Sequence, residues 1–466
     1  MEYWLISVFI FIFGAIFVFC SKKQYKHKLA EIFLFMGIIT LLFPVCKSLG
    51  KNLILYLPLN IHFLSQHFIC IIDVLSAFFM GITSLILLLP ILLNSKYKIG
   101  MEFSNRPEIV LLSVFSIITI MGVQNGEIAK TLTTNINCSN TVFTIIFIGL
   151  GLPLLFAENL FETFSKKCPE NTILTNLFYL TCLYGLLRFT KLGAQPSLLF
   201  SCIIITIVFA YICFKLFKLN QTDSISQKIF YIKSIQAGFL ILTLLIGIYG
   251  LKYMIPELSI LGFLSSLLFL INILFANNIF QTNSEVTKNR NLKDSSNTLS
   301  SKYPVKKNII IVGLCNCIGI PATLGFYAWG TMFASLLCGI IYANQELKFI
   351  LVIIFTISLA IYLFQLVKSF FTIKDINSSK YEITDFKDSK FNFFFAIAAI
   401  IFGLFPYAII KVIFVPVSFI TNGIKFIEIF NTIRTTICHI SLYITGCVLL
   451  LAIYKTVTHK LKNKLM

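Results

Sequence analysis

Apolar positions run in unbroken blocks along nearly the whole chain, and short polar stretches punctuate them. The blocks are about 17–25 residues long, the length that carries a helix across ~30 Å of hydrocarbon. They do not alternate apolar with polar, so the pattern argues against a transmembrane β-barrel. Bilayer hydrocarbon offers no partner to a free backbone N–H or C=O, and helices satisfy those groups internally. The blocks predict spans at about Tyr3–Cys20, Leu29–Pro44, Phe68–Leu93, Ile109–Val123, Thr141–Phe156, Leu174–Phe189, Pro196–Phe217, Ile229–Leu251 and Leu258–Phe280. Further along come Ile309–Phe326, Ala328–Ala343, Phe349–Phe371, Phe391–Phe414 and Thr435–Tyr454. Some are too short to cross alone. The expected fold is all-α, a polytopic bundle of about 12–14 transmembrane helices.

The polar stretches divide the chain. Residues 1–280 read as an N-terminal transmembrane bundle and 281–307, rich in Ser, Asn and Lys, as a flexible cytoplasmic loop. Residues 308–414 form a C-terminal bundle. Residues 415–466 hold an interfacial helix over Val415–Arg434, a last transmembrane helix and a basic tail. The stretch Phe371–Lys390 mixes lysines with Asp375, Glu382, Asp385 and Asp388 and reads as a solvated loop.

Composition supports the same picture. The chain is 58% hydrophobic and 12% charged, with a mean hydropathy of +0.90, more apolar surface than one soluble core can hide. The formal charge of +19 would suggest nucleic acid in a soluble protein. Here the lysines sit between apolar blocks, as at Lys22, Lys23, Lys26 and Lys28, and describe a cationic cytoplasmic rim facing anionic headgroups. Glu2 precedes the first block and the lysines follow it, the reverse of a cleaved signal peptide, so a retained span with its N-terminus outside is expected. The 13 cysteines lie mostly within apolar blocks as small hydrophobes. Cys315 and Cys317 form a lone C-x-C, and five histidines show no metal spacing. No phosphate-binding glycine loop, dinucleotide fingerprint or nucleophile elbow is present. No cofactor and no catalytic centre are expected.

Helix breakers within apolar blocks are candidates for function. Pro153, Pro321 and Pro406 each interrupt one, and Gly319 and Gly325 flank Pro321. Broken helices in transporters place free backbone groups around a buried ion site, whereas an ordinary proline kink is satisfied by neighbouring helices. Ionisable residues in or beside the blocks give proton-pathway candidates. Asp73 is a proton-entry acid or a carboxylate capping a helix N-terminus. Lys228 and Lys233 lie at the edge of one block and a turn inside it. Lys368 and Lys411 fit either an ion path or snorkelling to the interface. Glu158 and Glu162 share a helix face: a carboxylate pair beside the Pro153 break could bind a cation, but Lys166 and Lys167 follow, which favours a solvated loop. His439 reads as interfacial.

Several segments resemble, in order, the antiporter-like membrane subunits of NADH:quinone oxidoreductase, hydrogenase-4-type complexes and multisubunit cation/proton antiporters. Ile72-Asp73-Val74-Leu75-Ser76-Ala77-Phe78-Phe79 is similar to the family's third helix, and Tyr184-Gly185-Leu186-Leu187-Arg188-Phe189 to the end of its broken seventh. Lys228-Ile229-Phe230 with Ser234-Ile235 resembles a later segment. Gly319-Ile320-Pro321-Ala322-Thr323-Leu324-Gly325-Phe326 resembles "G-x-P-x-x-x-G-F", and Tyr362–Phe371 and Gly403-Leu404-Phe405-Pro406 match later helices. The resemblance is strongest to the hydrogenase-4-like branch. It implies broken helices in two related halves and a proton path of buried lysines and a glutamate. This chain departs there: the family's lysine positions fall at Pro153, Leu180 and Trp329. The block Leu258–Phe280 carries Asn272, Asn277 and Asn278 in place of His and Lys, and the glutamate-bearing fifth helix is missing from the short stretch holding Glu127 and Lys130.

The resemblance implies a proton- or cation-translocating subunit of a respiratory or antiporter complex in the cell (inner) membrane, with a degenerate proton path. Other membrane subunits, lipid, and protons or monovalent cations would be its partners, with no nucleic acid. Any redox chemistry would belong to partner subunits, as in an NADH:quinone oxidoreductase or a hydrogenase-type complex. The alternatives are a non-conducting structural subunit or paralogue and, third, an unrelated solute carrier.

Overall fold

The structure is a computed structural model. It describes residues 2–22, 25–51, 55–61, 66–93, 107–125, 139–160, 172–222, 225–280, 304–377, 390–421, 428–429, 431–437, 439–447 and 450. Helices dominate. In chain order they are α1 (Glu2–Cys20), α2 (Lys26–Lys51), α3 (Val74–Leu93), α4 (Pro107–Gly122), α5 (Ser139–Ile146), α6 (Leu152–Leu155), α7 (Thr172–Lys191) and α8 (Leu198–Asn220). Then follow α9 (Ile225–Lys252), α10 (Pro256–Ile279), α11 (Pro304–Ile318), α12 (Leu324–Tyr342), α13 (Gln345–Asn377), α14 (Lys390–Leu404) and α15 (Pro406–Ile420).

Among the described residues, eight helices are long and apolar enough to span a bilayer, and three shorter apolar ones join them, including Thr141–Leu155 and Asn308–Ile318. The polytopic helical bundle expected from the hydropathy pattern is therefore present. Its centre is the antiparallel pair α9–α10, which packs against α8 and α12. The most apolar stretch is 83% buried in α9 and 89% in α10, but 33% in α1 and 28% in α13, so the last two form the bundle's outer face. Small residues let α9 and α10 approach: a Cβ added at Gly262 would stand 2.5 Å from the Gly247 nitrogen, the close backbone contact that tightens helix pairs in lipid.

One expected span begins differently. Residues 68–72 are not the first turns of a helix but lie in β2 (Gln66–Ile72), the middle strand between β1 (Leu55–Ile61) and β3 (Val123–Asn125). The antiparallel register pairs Leu55 with Ile72, Ile61 with Gln66, and Cys70 with Val123. Ile69, Ile71 and Ile72 are β-branched and favour the strand. Asp73 then ends it and starts α3, its Oδ1 accepting from the Ser76 amide at 2.9 Å as an N-cap.

The three prolines act locally. Pro153 has no N–H to give the Gly149 carbonyl, and just before it the helix widens into a π turn, Phe147–Gly151. Around Pro321 the chain leaves helical geometry between α11 and α12, with Gly319 at φ 81° and Ala322 at φ 74°. At Phe405–Pro406 the expected span Phe391–Phe414 splits into α14 and α15, which meet at 88°; the ring of Pro406 fits the first turn of the new helix, where no donor is needed. Most of the expected loop 281–307 lies outside the described residues, α11 starting at Pro304. Glu127, Lys130, Glu162, Lys166, Lys167, Asp385 and the basic tail also lie outside them.

Candidate ion-translocation axis

Among the described residues, two ion pairs carry charge into the apolar layer. The first joins Lys233 of α9 to Glu158, in the helical turn after α6. Nζ lies 2.8 Å from Oε2, with the two side chains 17% and 5% exposed. Taking both charges out of water is costly, and their attraction and hydrogen bonds must compensate. The partners are there: the Tyr179 hydroxyl donates to Glu158 Oε1 at 3.2 Å, and Lys233 Nζ donates to Asn277 Oδ1 at 3.0 Å. Glu158 is thus a buried ion-paired carboxylate, not the solvated loop residue that the neighbouring lysines suggested. It sits where the chain turns after the Pro153 region, which directs it at α7 and α9.

Amides extend the pair. Asn277 Nδ2 donates to Asn176 Oδ1 at 3.0 Å, and Asn176 Nδ2 donates to Asn278 Oδ1 at 3.2 Å. One turn beyond Lys233, Gln236 donates to the Cys317 carbonyl near the end of α11. Deeper on α10, Asn272 exchanges hydrogen bonds with Asn316, which accepts from the Gly325 amide at 3.1 Å. The broken helix α11–α12 is therefore held open by side chains. Trp329 Nε1 donates to the Cys317 carbonyl at 3.4 Å, and the Tyr362 hydroxyl donates to the Gly319 carbonyl at 3.0 Å. A Cβ at Gly325 would fall 1.8 Å from the Asn316 oxygen, so glycine is required there. Pro321 itself is exposed and shapes the break without lining the axis.

The second ion pair lies at the other end of the bundle. Asp73, 2% exposed, is bridged to Arg188 of α7, while Ser76 Oγ and the Tyr184 hydroxyl stand 3.0 Å apart. The same Tyr184 hydroxyl donates to the Met121 carbonyl. Asp73 caps α3, as one of its two readings expected, and it is also ion-paired.

The remaining candidates divide. Lys228 is half-buried near the start of α9. Lys368 donates to the Leu219 carbonyl at 2.6 Å and to Asn220 Oδ1 at 3.0 Å, at the C-terminus of α8, where a cation complements the helix dipole. Lys411 is exposed on α15, outside the axis. One lysine that the hydropathy pattern hides is Lys215: only 4% exposed, it donates to Asn159 Oδ1 at 2.6 Å and lies over the rings of Tyr211, Phe230 and Tyr231. Asn159 follows Glu158, so a second cation flanks the pair. Among the described residues no group of three or more His, Cys, Asp or Glu is placed to hold a metal.

A buried acid–lysine pair, amides leading from it to a discontinuous helix, and a lipid-facing outer layer define an ion-translocation type of membrane bundle. Residues 96–360 match the family described as NADH:quinone oxidoreductase/Mrp antiporter, transmembrane, and the chain belongs to that family: it is an antiporter-like membrane subunit. Its fold is similar to that of a chain in the membrane-bound sulfane sulfur reductase, an archaeal respiratory membrane complex (TM-score 0.59, 13% identity, covering 92% of this chain and 98% of that one). It is similar also to a chain of the Mrp complex from Dietzia sp. DQ12-45-1b (0.56, 12%, 92% and 98%). A third likeness is to a chain of respiratory complex I from Thermus thermophilus (0.54, 12%, 90% and 99%). No curated protein matches by sequence.

Within that family frame, the positions expected to carry lysines hold Pro153, Leu180 and Trp329, all without a titratable group. Lys233 and Glu158 form a buried ion pair, and Tyr179, beside Leu180, contacts it.

Proposed function

We propose that this chain is a proton-translocating antiporter-like subunit whose loading site is the Glu158–Lys233 pair, and that it works beside other membrane subunits in a respiratory or antiporter complex of the cell membrane. The observation that carries this reading is the pair itself. A charge of each sign, buried in a lipid-embedded bundle, marks an ion path by default because its burial is so unfavourable. Chemically the pair is a two-position proton store. A proton on Lys233 leaves both groups charged and attracted; transfer to Glu158 leaves both neutral, and the groups around them then decide where the proton goes. Tyr179 and Asn277 hold the acid and the amine in reach of each other. The amides beyond cannot titrate, but they orient water, so the broken helix can pass a proton on only through solvent.

Membership of a family whose structural relatives are chains of multisubunit membrane assemblies supports the partnership, and the exposed apolar faces of α1 and α13 are surfaces such neighbours or lipid can cover. The lysine-rich stretches near the start of α9 support reading that end of the bundle as the cytoplasmic one by the positive-inside rule.

A second reading rests on a specific observation too. Past Lys233 the axis consists of Asn, Gln, Ser and Trp side chains, so a structural subunit that has lost conduction fits the same residues. Proton flux separates the two. With the purified complex in proteoliposomes, an imposed pH gradient is expected to drive uptake that Glu158→Gln and Lys233→Ala each reduce by about 100-fold, the scale of losing a positioned acid–base group. Equal flux in the wild type and both variants would reject the pair as the loading site.

A further inference from the structure

On the inner side of α13 the polarity changes midway. The buried stripe runs Leu351, Ile354, Ser358, Ile361 and Gln365, a helical spacing that keeps these residues on one face. Its first members are apolar. Ser358 is fully buried and Gln365 is 3% exposed, and among the described residues Ser358 Oγ and both amide atoms of Gln365 have no hydrogen-bond partner. Three polar atoms left unsatisfied on one face of one helix are unfavourable in a dry bundle. Between them Tyr362 donates to the Gly319 carbonyl of the broken helix, and one turn past Gln365, Lys368 reaches the C-terminal end of α8. On the other side of the break, Gln236 is 1% exposed and its Oε1 likewise finds no partner among the described residues.

We infer that Ser358, Tyr362 and Gln365 line a file of water that connects the broken helix at Gly319 to the membrane surface at Lys368. Ser358 to Gln365 spans about 10 Å along the helix, and Lys368 is one turn further. Two or three waters in this distance would give the hydroxyl and amide atoms their hydrogen bonds. The file carries protons in preference to metal cations, because no carboxylate lines it among the described residues and the ammonium of Lys368 stands at its mouth. It deepens the function proposed above by giving the Glu158–Lys233 centre, through Gln236 and the Cys317 carbonyl, an access route from the end of the bundle where Lys228 also lies.

Two experiments on the full-length protein in proteoliposomes test it, and they fail separately. The first reads hydration without transport. A small charged methanethiosulfonate reagent is applied to Ser358→Cys, Gln365→Cys and Ile354→Cys, and modification is mapped peptide by peptide so that native cysteines are scored apart. The thiols introduced at positions 358 and 365 are expected to react, and the one at 354, on the apolar part of the same stripe, is not. If 358 and 365 are as inert as 354, the face is dry and the inference falls, whatever the protein transports. The second reads proton flux: Gln365→Leu is expected to lower it by about tenfold or more, while Gln365→Glu, which keeps water in place, retains it. Unchanged flux in Gln365→Leu would overturn the route. A wild type that carries no protons would count against the proposed function alone and leave the thiol experiment to decide this one.

Discussion

At the scale of single residues, Lys233 and Glu158 depend on each other. The carboxylate is 5% exposed, and removing Lys233 takes away the cation bonded to it, leaving the Tyr179 hydrogen bond. Lys233→Ala is therefore expected to destabilise the fold by roughly 3–5 kcal/mol, the cost of breaking a buried pair from one side. Replacing both partners with apolar groups of similar size, Glu158→Leu with Lys233→Met, is expected to recover most of that loss while abolishing transport. Thermal unfolding of the three proteins in one detergent checks it: an apparent Tm of the double variant as low as that of Lys233→Ala would mean that the pair is not a coupled unit. Lys233 was recognisable in the sequence because it sits inside an apolar block. Glu158 was not, because its sequence neighbours are charged and its burial comes from α7 and α9, more than a dozen residues away. Asn272, Asn277 and Asn278 were visible as amides in an apolar run, but that they hand hydrogen bonds to Asn176 and Asn316 is a property of packing.

At the scale of elements, the breaks matter more than the helices. Proline marks each of them, so all three positions were legible, yet each proline does something different: a π turn before Pro153, an unwound segment at Pro321, a right-angle corner at Pro406. The unwound segment includes Ala322 at φ 74°, a left-handed conformation that costs a Cβ-bearing residue about 1–2 kcal/mol. Ala322→Gly is expected to relieve part of this, less what glycine gains in unfolded-state freedom. The apparent Tm should stay level or rise, where the same change inside an α-helix would lower it. A drop of several degrees would show that Ala322 is not strained. The strand β2 was missed for a simple reason: an apolar run of Ile and Phe reads equally as strand or helix until its partners, β1 and β3, are in place. The lengths of spans were readable because bilayer thickness sets them; the bend between α14 and α15 was not, since hydropathy is blind to direction.

For the whole molecule, family and fold are settled by the match over residues 96–360 and by three structural likenesses of similar extent. What distinguishes this chain is where its charge lies. Pro153, Leu180 and Trp329 stand where the resemblance leads one to expect lysines, and one buried acid–lysine pair, flanked by Lys215, lies near the start of α9. The second pair, Asp73–Arg188, closes the opposite end and also caps α3, so it serves the fold whether or not ions pass. Proton translocation through the proposed site requires Glu158 to change its protonation state when a proton is offered to the embedded protein. Infrared difference spectroscopy of membranes holding the protein, stepped between two pH values, reads this directly in the carboxylic C=O stretching region. A carboxyl band is expected to form on acidification, to reverse on return and to be missing from Glu158→Gln; the same band persisting in that variant, or no band in the wild type, would rule out Glu158 as the proton carrier.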